Sequence, residues 1–315
     1  MSHQDTFSEN LVVKAAWYYY KENLTQTEIS ELLNVTRNKV VRLLETARTT
    51  GIVQFNIKAP NTNCLSLEKD LKILFRLKDA FIIPTPLTQL NESLAKAASQ
   101  FLSNLILPND LIGIGWGDTV SKTIQYLTLE PEQHVSLITL TGGVNYYFQK
   151  HRETNDGGLN KFTGGIHMIP SPFLTSSSDM AESFLSEPSV KNILHLASMA
   201  QHYIVGIGGL SKDATIVKEE NMSISELTYI ERQGAVGDIL GQFYDANGEL
   251  LALPLHEKLV GTPLAKLKEL KNVIGVAGGE GKIKAIYGAL KGNYLDTLVT
   301  DENTALALLS LGGDT

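Results

Sequence analysis

Leu24-Thr25-Gln26-Thr27-Glu28-Ile29-Ser30-Glu31-Leu32-Leu33-Asn34-Val35-Thr36-Arg37-Asn38-Lys39-Val40 contains two helix starts with a tight break between them. Thr25 followed three residues later by Glu28 is a capping box, in which side chain and backbone satisfy each other's orphan amides. Ile29 and Leu33 then bury one side of a short helix. Asn34 suits a left-handed turn, and Val35 can plug the gap between helices. Thr36 caps the next helix, whose Val40, Leu43, Leu44 and Ala47 recur at core spacing until Gly51 ends it. Upstream, residues 11–20 read as a first helix with Val12, Ala16 and Tyr19 on one stripe. Downstream, 52–57 alternate as a short strand. Three helices with so tight a turn, plus one strand, predict a winged helix-turn-helix unit over residues 1–58.

The first turn of the third helix carries Arg37 and Lys39, where the helix dipole favours acids. Cations there make sense when the turn faces phosphates and base edges. Asn38 can pair with adenine and Arg37 or Arg42 with guanine. Thr25, Gln26, Thr36, Arg37, Asn38, Lys39 and Arg42 are therefore the candidate contacts to double-stranded DNA. The bland alternative is a three-helix interaction module with a solvated basic edge.

The charge distribution agrees. The 315 residues carry a net charge of −7, but residues 1–60 hold seven basic against six acidic side chains. An acidic body repels DNA, so the small head is the only surface suited to it. Composition, 43% hydrophobic and 19% charged, is that of an ordinary globular protein. No apolar run approaches the roughly 20 residues of a membrane span. The start of the chain lacks a secretory pattern. A single cysteine, Cys64, forbids an intrachain disulfide and fits a reducing cytoplasm. The scattered histidines form no metal-ligand spacing, and no cofactor motif is present.

Residues 59–63 are a short polar break, and a second domain is expected over 59–315. Leu67, Leu71 and Leu74 form a stripe that is either core or a subunit-pairing face. Apolar runs at 80–83, 111–114, 135–140, 166–169, 203–207, 273–276 and 295–300 alternate with helical patterns such as Leu94, Ala98, Phe101 and Leu105. That alternation predicts an α/β domain with a doubly wound, mostly parallel sheet. Glycines cluster at 113–117, 141–143, 206–209 and 278–281, at the carboxyl ends of those runs. Ligands of open α/β sheets bind there. None of the clusters spells a nucleotide-binding motif.

Asp118 and Thr119 follow the first cluster, and Asp238 stands among apolar and glycine residues within 234–241. Such acids suit sugar hydroxyls, while Lys282, Lys284 and Lys291 are available for a phosphate. Thr175-Ser176-Ser177-Ser178-Asp179 reads as a helix start rather than a nucleophile. No histidine–carboxylate spacing suggests a general base and its orienter.

Residues 24–30 with 40–44, Thr141-Gly142-Gly143-Val144, residues 234–241, Val276-Ala277-Gly278-Gly279-Glu280 and Val299-Thr300-Asp301 together resemble the SorC family of sugar-responsive bacterial transcriptional regulators. The resemblance runs from about residue 11 to the end. It implies an effector domain akin to ribose-5-phosphate isomerase and glucosamine-6-phosphate deaminase, kept for binding rather than catalysis. It also implies homo-tetramers, as dimers of dimers, on paired operator sites. By motif, the effector pocket would include Asp118, Gly142, Gly143, Asp238, Gly279 and Lys291. The regulators of sorbose operons look nearest, which would make L-sorbose the effector. Repressors of autoinducer-2 uptake share most of the motifs and would imply phosphorylated autoinducer-2. A sugar-phosphate isomerase or deaminase is the reading from another class, but it leaves residues 11–57 without a use.

Overall fold

The computed structural model describes residues 3–22, 24–53, 62–144, 146–147, 158–219 and 221–313. The chain divides into two compact units, Met1–Pro60 and Asn61–Thr315.

In the first unit, α1 (His3–Tyr20), α2 (Gln26–Leu32) and α3 (Arg37–Thr49) enclose one small core. Val12, Ala15 and Ala16 meet Ile29, Val40, Leu43, Leu44 and Ala47. Tyr19, expected on the buried stripe, is instead 36% exposed. Tyr18 and Tyr20 pack against the core instead. Asn34 is left-handed with φ 50°, as the tight turn requires. Gly51 (φ 71°) follows α3. Residues 52 and 53 form no strand, and the rest of the expected wing lies outside the described residues.

The second unit is built on a seven-stranded sheet, every pairing of which is parallel. Its strands are β1 (Asp79–Ile83), β2 (Leu111–Ile114), β3 (Ser136–Thr139), β4 (Gly165–His167), β5 (His202–Gly206), β8 (Val273–Val276) and β9 (Thr297–Asp301), in the order β1-β9-β8-β5-β2-β3-β4. All seven coincide with apolar runs of the sequence. Alternate side chains feed opposite faces, as the two-residue strand period dictates. Tyr203 and Val205 of β5 join one core with Leu67, Leu71, Ala285 and Leu308. Ile204 joins the other with Leu94, Ala98, Val120 and Ile124. Leu67 and Leu71 are thus core residues of α4 (Thr62–Phe75), while Leu74 is 39% exposed. Leu94 and Ala98 are buried in α5 (Leu90–Ser103), but Leu105 lies beyond its end and is exposed.

The β1 edge is closed to further pairing. The outward amide of Ile82 donates to Glu68 Oε1 at 2.9 Å, and that of Ala80 to Asp79 Oδ1 at 2.9 Å. Carboxylates that occupy edge amides prevent another strand from adding there. The serine-rich stretch does start a helix, Ser178–Ser186, with Ser177 accepting from the Met180 amide. A small antiparallel hairpin, β6 (Gly237–Ile239) and β7 (Gln242–Tyr244), was not foreseen among the glycines of 234–241. No helix among the described residues is long and apolar enough to cross a membrane.

Candidate functional site

In the first unit the capping box forms as read. Thr25 Oγ1 accepts from the Glu28 amide at 3.3 Å, and Glu28 Oε2 accepts from the Thr25 amide at 2.7 Å. Thr36 Oγ1 accepts from the Lys39 amide at 3.3 Å. Both threonine hydroxyls therefore hold helix ends together. Arg37, Asn38, Lys39 and Arg42 are all exposed on α3. An open groove brings Arg37 together with Thr25 and Gln26 and adds Tyr19, Tyr20 and Thr27. The sequence pattern puts Tyr19 on the apolar stripe of the first helix and does not single out Tyr20 or Thr27.

In the second unit a cavity of about 460 Å³ opens at the carboxyl edge of the sheet. It is lined by the loops after β2 and β5, by residues 213–216, 218 and 219, and by Asp238, Gly281 and Lys282. Asp118 opens α6 (Asp118–Tyr126) and pairs with Lys122 at 3.0 Å. The residue before it, Gly117, has no side chain with which to cap the helix start. Amides at a helix start favour an anion.

Asp238 reaches the same cavity from the hairpin. Its Oδ2 accepts from the Gly241 amide at 3.0 Å. Burial pushes its carboxyl up to about 6, against the Gly241 amide and the Lys282 ammonium, which pull the other way. Burial likewise holds the Lys282 ammonium below the usual lysine value, opposed by Asp238 and then Asp118. The cavity thus presents carboxylate acceptors for hydroxyls, two lysines (Lys218 and Lys282) and the start of α6.

Of the residues chosen by motif, Asp118 and Asp238 line this cavity, whereas Gly142, Gly143, Gly279 and Lys291 do not. The amides of the three glycines are already used. Gly142 donates to Val260 O, Gly143 to Ser171 O, and Gly279 to Thr304 Oγ1 at 2.8 Å. Lys291 is exposed at the far end of the helix Ile283–Lys291, which runs from the cavity edge back toward the start of β9. At 1.5 Å per residue, Lys291 stands roughly 13 Å along that axis from Lys282. Lys284 is exposed and also off the lining. Lys282 lies on the lining with Asp238, and its place directly behind the glycines of 278–281 was the available signal; Lys218, which the sequence reading does not single out, also lines the cavity and pairs with Asp213 at 3.5 Å.

A histidine–carboxylate pair does exist. His202 Nε2 lies 3.5 Å from Asp110 Oδ2, both nearly buried. The pair was invisible in sequence because its members open two different strands. It sits at the amino edge of the sheet, opposite the cavity, so it cannot serve as base and orienter there.

A helix-turn-helix head followed by a parallel α/β domain with a cavity at its carboxyl edge has the build of a ligand-responsive, DNA-binding regulator. Residues 59–310 match the family described as "Putative sugar-binding domain". Transcriptional regulator LsrR of Enterobacter sp. (strain 638) is 40% identical over 310 residues, covering 97% of this chain and 94% of that protein. LsrR of Escherichia coli (strain K12) is 40% identical over 314 residues, covering 98% and 97%. The full-length sorbitol operon regulator SorC from Klebsiella pneumoniae matches in structure with a TM-score of 0.73 at 28% identity, covering 95% of this chain and 98% of that one. The chain belongs to this sugar-binding family of SorC-type transcriptional regulators. It is a sugar-responsive, DNA-binding transcriptional regulator. The expected nearness to the sorbose regulators is corrected by these figures, since identity to LsrR is the higher.

Proposed function

We propose that the chain is a repressor of the LsrR kind, which phosphorylated autoinducer-2 releases from its operator. What carries the reading is one juxtaposition: Asp238 and Lys282 line a single cavity beside the start of α6. Asp238 accepts hydroxyls, and Lys282 with the helix-start amides takes the phosphate. Arg37, Asn38, Lys39 and Arg42 contact the operator, with Gln26 and the capped Thr25 and Thr36 at the rim. A head with net charge +1 offers few phosphate contacts, so binding needs several heads, as in a homo-tetramer on paired half-sites. L-sorbose is the second reading, supported by the structural likeness to SorC. Operator release in a gel shift on the chain's own promoter tests both. Phosphorylated autoinducer-2 should release DNA, and L-sorbose or unphosphorylated autoinducer-2 should not. Release by L-sorbose alone would overturn the proposal.

A further inference from the structure

Gly208 lines the effector cavity, and its φ lies outside the left-handed region. Its backbone therefore does not demand glycine. Space does. A Cβ built there would overlap Asp238 Oδ1. Nor can the two residues draw apart, because their backbones are tied in both directions. Gly208 N donates to Asp238 O at 2.9 Å, and Asp238 N donates to Gly208 O at 3.1 Å. The carboxylate is fixed on its other side by the bond from the Gly241 amide to Oδ2.

We propose that Gly208 is a positioning residue: the missing side chain at 208 is the slot that seats the Asp238 carboxylate in its effector-binding orientation. This rests on the assignment of Asp238 to the effector. By contrast, a Cβ at Gly281, also on the lining, meets nothing within 4 Å, so lack of room is not a general property of the cavity wall. A methyl at 208 leaves the backbone bridge intact and forces the carboxylate out of its slot. It thereby costs stability and effector affinity through the same atom.

The test is a double-mutant cycle on the full chain with Gly208→Ala, Asp238→Ala and the combined variant. Thermal unfolding without ligand should show a lowered Tm for Gly208→Ala. Adding Gly208→Ala to Asp238→Ala, where the overlapping atoms are gone, should cause little or no further loss. Equal losses in both backgrounds, or none in either, would overturn the proposal. If Gly208→Ala alone does not fold, recovery of folding in the combined variant supports the slot, and failure of both overturns it. In parallel, calorimetry with phosphorylated autoinducer-2 as probe should show at least tenfold weaker binding to Gly208→Ala. Coupled stabilities with no binding of the probe by the wild type would keep the slot and remove the effector assignment. Wild-type affinity in a Gly208→Ala protein that shows the coupling would mean that the slot does not serve the ligand.

Discussion

Asp238 is half-buried on the cavity wall, and burial raises its carboxyl to about 6, well above the usual 3.8. The sign of the pH effect follows. A raised folded pKa means that the folded state holds this proton more tightly than the unfolded chain does. Its contribution to stability is present below about pH 3.8 and is lost as pH rises through 6. Effector binding runs the other way, because hydroxyls need the ionised acceptor. Affinity should fall by about tenfold or more between pH 7.5 and pH 5, and Asp238→Asn should remove the share of that dependence due to Asp238, leaving only that of the effector's own phosphate, while lowering affinity at pH 7.5 by tenfold or more, roughly 1.4 kcal/mol. Calorimetric titration across pH checks both, and a variant with unchanged affinity would take Asp238 out of the site. In the head, Arg37→Ala or Arg42→Ala should weaken operator binding by about 1–3 kcal/mol if the residue pairs with a base. Effector affinity measured without DNA should stay as in the wild type.

Elements differ in how openly the sequence announces them. The parallel strands were legible because each is a short apolar run, four of them (β2, β3, β5 and β8) closed by glycines, a signal that needs no partner to be read. The head was legible because caps are local chemistry: Thr25 with Glu28 and Thr36 with the Lys39 amide lie three residues apart. The hairpin β6–β7 was not. Its turn is Leu240-Gly241 with φ 55° and 75°, where Asn-Gly would have been the usual signal, and a leucine there is held by burial against the body rather than by its own preference. Within the site, Asp238 stood out as an acid among glycines. Lys291 misled because a motif carries no information about which end of a helix faces a pocket. The helix Ile224–Arg232 offers a clean measure of a cap, since Ser223 and Glu226 form a complete capping box away from the cavity lining. Ser223→Ala should cost about 1 kcal/mol of stability in urea unfolding, with effector affinity unmoved. No change in stability would show that the box is not formed.

At the scale of the whole molecule, regulation requires that effector binding and operator binding change each other's free energy, and such coupling is reciprocal. Operator should therefore weaken effector affinity by the same factor by which effector weakens operator affinity. Symmetric assembly is part of the same account. Sedimentation at micromolar concentration should show an oligomer, and footprints should show half-sites separated by whole helical turns. A monomer that still binds operator tightly would contradict that part. The most direct test of the central claim is fluorescence anisotropy of labelled operator DNA, titrated with protein at fixed concentrations of phosphorylated autoinducer-2, for the wild type and Asp238→Asn. The account predicts equal operator affinity for the two proteins without effector, loss of that affinity in the wild type on adding effector, and at least a tenfold higher effector concentration for the same loss in Asp238→Asn. Operator affinity that is indifferent to effector in the wild type, or an Asp238→Asn protein released at the wild-type concentration, would contradict it.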